Sequence, residues 1–185
     1  IPREQAAKGT AYDVSRRAVN GASYRRKFDS VGLPKGAAAT CYVQARRILR
    51  DRDGTDGERM CVVSWRTGRL VTDTFGAPAQ MARTGLTREQ YGRTSSTGGG
   101  VIIMHNHPAS TRPSYKDLRS VAANDFVKAS LVLCHDGSVY AISGTSDQLI
   151  RAYATIMDEY EANFGGTIPR EQIEMKALDE LYRRN

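Results

Sequence analysis

His105 and His107 stand two positions apart, directly behind the apolar run Val101-Ile102-Ile103-Met104, and Pro108 follows them. On extended backbone, side chains at i and i+2 point the same way. Both imidazoles can therefore approach one metal ion. Asp117 supplies a third ligand if the chain loops back into a helix start, and Pro108 and Pro113 stiffen such a loop. Zinc accepts imidazole nitrogen and carboxylate oxygen, and a catalytic site with three protein ligands keeps a position for water. Each part also has a plainer reading. Two histidines at a strand end can be ordinary surface residues, and Ser114-x-x-Asp117 can be a capping box in which Asp complements a helix N-terminus. The cap and the ligand role are compatible, because a helix start can aim a carboxylate outward. The combination is much rarer than its parts.

The elements that must position these residues follow from patterning. Residues 1–34 are basic and helix-prone, with Arg16-Arg17 and Arg25-Arg26 pairs, and end at Gly32-Leu33-Pro34. Residues 36–52 predict an amphipathic helix with Tyr42, Ala45, Ile48 and Leu49 on one face, stopped near Gly54. Residues 59–65 and 69–75 predict two strands joined by Arg66-Thr67-Gly68. The stretch 76–100 is loop-rich, with a short helix near Thr87–Tyr91. Its Ser95-Ser-Thr-Gly-Gly-Gly100 run lacks the Lys-Ser/Thr of a phosphate loop and feeds a strand, not a helix. A helix is expected over 114–128, then strands 131–134 and 139–143 around Asp136-Gly137, whose residues tolerate positive φ. Two helices close the chain. One carries Leu149, Tyr153, Ile156, Met157 and Tyr160 on one face, and the other opens at Pro169. Ile-Pro-Arg-Glu-Gln occurs at both 1–5 and 168–172 with dissimilar flanks, which reads as two similar helix starts.

Composition sets the class. The chain has 185 residues, 40% of them hydrophobic, enough for one domain with a core and a helical appendage. It contains no apolar run long enough to span a bilayer and no signal-peptide core, and it begins without Met, so a domain cut from a longer protein is expected. The formal charge of +7 attracts polyanions at long range, but a solvated basic surface is the favoured reading over a nucleic-acid partner. Cys41, Cys61 and Cys134 are odd in number and form no CxxC pair, which argues against a disulfide framework and for small buried hydrophobes in a reducing cytoplasm. His135, beside the Asp136-Gly137 turn, is expected at the surface and not as a ligand.

His105-x-His107-Pro108 followed by Ser114-x-x-Asp117 resembles the JAMM (MPN+/JAB) signature of zinc metalloproteases and deubiquitinating enzymes. The HNHP spelling also resembles RadC-type bacterial proteins. Residues 20–142 look like JAB domains of bacterial and phage-associated or delivered multidomain proteins. The interval from Pro108 to Ser114 is one residue shorter than the usual form, a deletion placed at the loop tip. The resemblance implies an α/β (α+β) fold, a curved mixed β-sheet flanked by helices and similar to cytidine deaminases. Its core would span 35–144, with a basic helical extension over 1–34 and a C-terminal helical extension over 145–185.

It further implies one zinc held by His105, His107 and Asp117, and a catalytic glutamate at the start of an early strand. Glu4, Glu58 and Glu89 are the glutamates before His105, and Glu58 alone follows a helix and precedes an apolar strand. In the mechanism so implied, zinc activates water, Glu58 moves its proton to the leaving amine, and Ser114 stabilises the oxyanion. The implied substrate is a peptide or isopeptide bond, at a ubiquitin-like tail or in a parent polyprotein. The rival reading is a non-catalytic RadC-like module associated with DNA or a capsid.

Overall fold

The computed structural model describes residues 10–76, 86–144 and 147–184. The first copy of Ile-Pro-Arg-Glu-Gln, and residues 77–85 of the loop-rich stretch, lie outside the described residues. Among the described residues are seven α-helices and a five-stranded mixed sheet. No described helix is long and apolar enough to cross a membrane.

The chain divides into two compact units. One contains the described residues up to Arg112 together with Asp125–Ser143. Its strands are β1 (Met60–Ser64), β2 (Leu70–Asp73), β3 (Val101–His107), β4 (Val127–Cys134) and β5 (Val139–Ser143), in the order β2-β1-β3-β4-β5. β3 and β4 are parallel and the other neighbours antiparallel. The central strands β1, β3 and β4 read as nearly continuous apolar runs because both of their faces are buried. Beyond the expected Val101–Met104, β3 continues through both histidines.

Helices α1 (Arg16–Val19), α2 (Ala22–Ser30) and α3 (Lys35–Arg52) pack on one face of this sheet. Ala45, Ile48 and Leu49 of α3 are fully buried, on the face that periodicity predicts, against Cys61, Val63, Ile102, Met104 and Leu131. The segment 1–34 does not stand apart as an extension where it is described. Tyr24 and Phe28, one helical turn apart on α2, are fully buried in the same cluster. Each large apolar side chain so buried contributes roughly 1.5–3 kcal/mol. Gly68, in the turn between β1 and β2, has φ 67°, and a Cβ there would come within 2.7 Å of the Gly36 carbonyl. Helix α4 (Arg88–Ser95) opens on a capping box of Thr87 and Gln90, and Gln90 Nε2 donates to the Asp73 carbonyl at 2.8 Å.

The other unit contains Pro113–Asn124 and the described residues from Gly144 onward. Its helices are α5 (Tyr115–Ala122), α6 (Asp147–Phe164) and α7 (Arg170–Arg184), the last beginning just after Pro169. The Tyr115 and Tyr153 rings stack at 4.3 Å, and Tyr182 Oη donates to the Pro113 carbonyl at 3.4 Å. The helix expected over 114–128 therefore ends at Ala122. Ala123 caps it, and Val127–Lys128, which local patterning assigns to the helix, begin β4, where Val127 pairs with Val101 of β3. Strand pairing overrides local propensity there.

Candidate metal centre

β3 positions the two histidines. Extended backbone puts both rings on one side, with Nε2 of His105 and Nε2 of His107 3.1 Å apart, both residues buried. Nδ1 of His107 lies 3.0 Å from the Thr111 carbonyl. A carbonyl can only accept, so the ring donates from Nδ1 and keeps its lone pair on Nε2, the tautomer a metal ligand needs. Two ring nitrogens at this spacing need a cation or a shared proton between them. On a tetrahedral zinc with Zn–N near 2.0–2.1 Å, two imidazole nitrogens would sit about 3.3 Å apart, so the pair fits.

The third residue comes from the start of α5. Ser114 is its N-cap and Asp117 its third residue, and the capping box is formed. Asp117 Oδ2 accepts from the Ser114 amide at 2.6 Å and from its hydroxyl at 2.7 Å. One donor atom from each of His105, His107 and Asp117 lies within 4.8 Å of the others, with the histidines buried and the aspartate half-buried. This cluster can hold a metal ion. Imidazole and carboxylate are the donor types a zinc site uses.

Glu58 lies two residues before β1 and is half-buried. Met60 is paired with His105, the last registered pair of β1 with β3, so Glu58 lies just beyond that ladder, toward its His107 end. Glu89 sits on α4, 80% exposed and paired with Arg93 at 3.0 Å. Glu4 lies outside the described residues.

Sequence reasoning missed two polar residues beside the site. Asn106, between the histidines and directed to the opposite face, is fully buried. His135 is also buried, at 1% exposure, and so is not the surface residue expected beside a turn. Its Nδ1 lies 2.6 Å from the Tyr12 carbonyl and its Nε2 3.1 Å from Asn106 Nδ2. Burial depresses its pKa below the ordinary value, against the opposing pull of the Tyr12 hydrogen bond and of Asp53 and Asp136. The turn is pressed down by the N-terminal helices. Ser15 N–H donates to the His135 carbonyl, Lys27 Nζ donates to the Gly137 carbonyl, and Gly137, at φ 90°, would place a Cβ 2.6 Å from that of Ala18. The available signal was Asn106 itself, a residue with four hydrogen-bonding positions directly behind the apolar run Val101–Met104.

The three cysteines are free and buried, as composition predicts. Burial pushes each thiol up to about 12. Compared with known proteins, the chain matches no family model, no curated protein and no solved structure.

Proposed function

We propose that the chain is a zinc-dependent hydrolase of the JAMM type that cleaves peptide or isopeptide bonds. The observation that carries this reading is the convergence of His105, His107 and Asp117 on one point, two of them through imidazole nitrogens 3.1 Å apart. When bound there, zinc supplies Lewis acidity toward water and toward a carbonyl oxygen. The chain's own groups do the rest. Thr111 keeps the His107 proton on Nδ1. Glu58 accepts a proton from water and returns it to the leaving amine. Ser114, turning its hydroxyl away from Asp117, donates to the substrate oxygen as negative charge develops. An extended substrate tail, ubiquitin-like or from a parent polypeptide, adds as a strand along an edge of the sheet.

The test is metal analysis with a cleavage assay on ubiquitin-like conjugates and unstructured peptides. About one zinc per chain is expected, with cleavage in the native protein and none in Glu58→Gln at unchanged zinc content. Failure to bind zinc on reconstitution, or full cleavage by Glu58→Gln, overturns the reading.

A further inference from the structure

We infer that Asn106 is a positioning residue, whose side-chain amide clasps the backbone on both sides of Glu58 and so aims the carboxylate. The inference rests on the proposed role of Glu58. Asn106 Oδ1 accepts from the Arg59 amide at 2.7 Å, and Asn106 Nδ2 donates to the Gly57 carbonyl at 3.1 Å. Between that carbonyl and that amide lie only the φ and ψ of Glu58, apart from planar peptide links. Two hydrogen bonds from one rigid amide therefore fix the torsions that set where the Glu58 side chain starts. The clamp takes over where the strand ladder stops, since Met60–His105 is the last registered pair of β1 with β3.

The amide has one acceptable orientation. Turned over, it would set its NH2 against the Arg59 N–H and its oxygen against the Gly57 carbonyl. His135 reinforces the choice. Its Nδ1 donates to the Tyr12 carbonyl, which leaves a lone pair on Nε2 to accept the second Asn106 N–H. Both amide hydrogens and the oxygen are thus used, in a site where Asn106 is fully buried. Asn106 sits between the two metal-ligand candidates in sequence and faces away from them. One strand thereby carries the ligand candidates on one face and, on the other, the amide that holds the backbone flanking Glu58.

The experiment compares the zinc-loaded native protein with Asn106→Leu, Glu58→Gln and the double variant. Asn106→Leu should lower kcat by roughly 10–100-fold, with KM and zinc content within about two-fold. In the Glu58→Gln background it should cause no further loss, because a residue acting through Glu58 has nothing left to position. Additive losses, an unchanged kcat, or loss of zinc from Asn106→Leu overturns the inference. If Asn106→Leu does not fold, Asn106→Asp, which keeps the acceptor for Arg59 and loses the donors, takes its place under the same criteria. If the native protein cleaves nothing, the functional reading fails separately, and amide exchange decides the clamp. Asn106→Leu should then speed exchange at Arg59 at least ten-fold and leave Val62 unchanged, and equal rates at Arg59 overturn it.

Discussion

Ser114 and Asp117 hold each other at both ends. The Ser114 amide and hydroxyl donate to Asp117 Oδ2 at 2.6 and 2.7 Å, and the Asp117 amide donates back to Ser114 Oγ at 3.3 Å. The side chain that would stabilise an oxyanion is thus the one that orients a candidate metal ligand. Ser114→Ala should cost about 1 kcal/mol through loss of the cap, and weaken zinc binding by roughly 10–100-fold through loss of orientation. Denaturant melts and competitive zinc titration measure the two separately. A stability loss with unchanged zinc affinity would reduce Ser114 to a cap.

Removal of one ligand should be decisive for the metal. His105→Ala and Asp117→Ala should each lose stoichiometric zinc, read by elemental analysis after dialysis. Chelation should stop hydrolysis in the native protein and added zinc restore it. Full zinc in the double variant would show that the metal sits elsewhere.

Glu58→Gln keeps the shape of the side chain and removes the proton acceptor. Turnover should fall by roughly 10²–10⁴-fold with zinc retained. Glu89→Gln, on the exposed face of α4, should leave the chemical step unchanged. Reversed results in a side-by-side assay would move the base to Glu89.

His135 should make stability depend on pH. Its folded pKa is depressed, so the fold favours the neutral ring. That contribution is fully present above the ordinary value of 6.5 and is lost as pH falls through the lower folded value. Protonation would set an Nε2 hydrogen against the Asn106 amide hydrogen. Urea melts of the native protein and His135→Gln, in the same metal state, should differ in slope by up to about 1.4 kcal/mol per pH unit below 6.5. Parallel pH curves would remove His135 from this role.

What the sequence disclosed was whatever its neighbours along the chain decide. The face of α3, the Asp136-Gly137 hairpin and the start of α7 are local, and the structure has them where periodicity and turn chemistry point. The His-x-His pair was legible because a two-residue spacing on a strand has one geometric meaning. The start of β4 was not, since Val127–Lys128 become strand only by pairing with β3, far away in sequence. His135 was misread for the same reason. Its immediate neighbours form a turn, and its burial is made by Tyr12 and Asn106, neither of which is near it in sequence.

The chain enters the helical unit twice, first with α5 between β3 and β4 and again after β5. The stacked Tyr115–Tyr153 pair and the Tyr182–Pro113 bond tie the first visit to the second. A polypeptide shortened at Gly144 would retain every described strand and both candidate-ligand histidines, His105 and His107, yet strip α5 of the helices it leans on. Asp117 rides on α5. The described residues after Gly144, which lend no atom to the candidate metal cluster, would then be a brace for one of its three donors. Trimming this protein to its sheet for ease of handling would leave the candidate cluster its two imidazoles and a carboxylate without its brace.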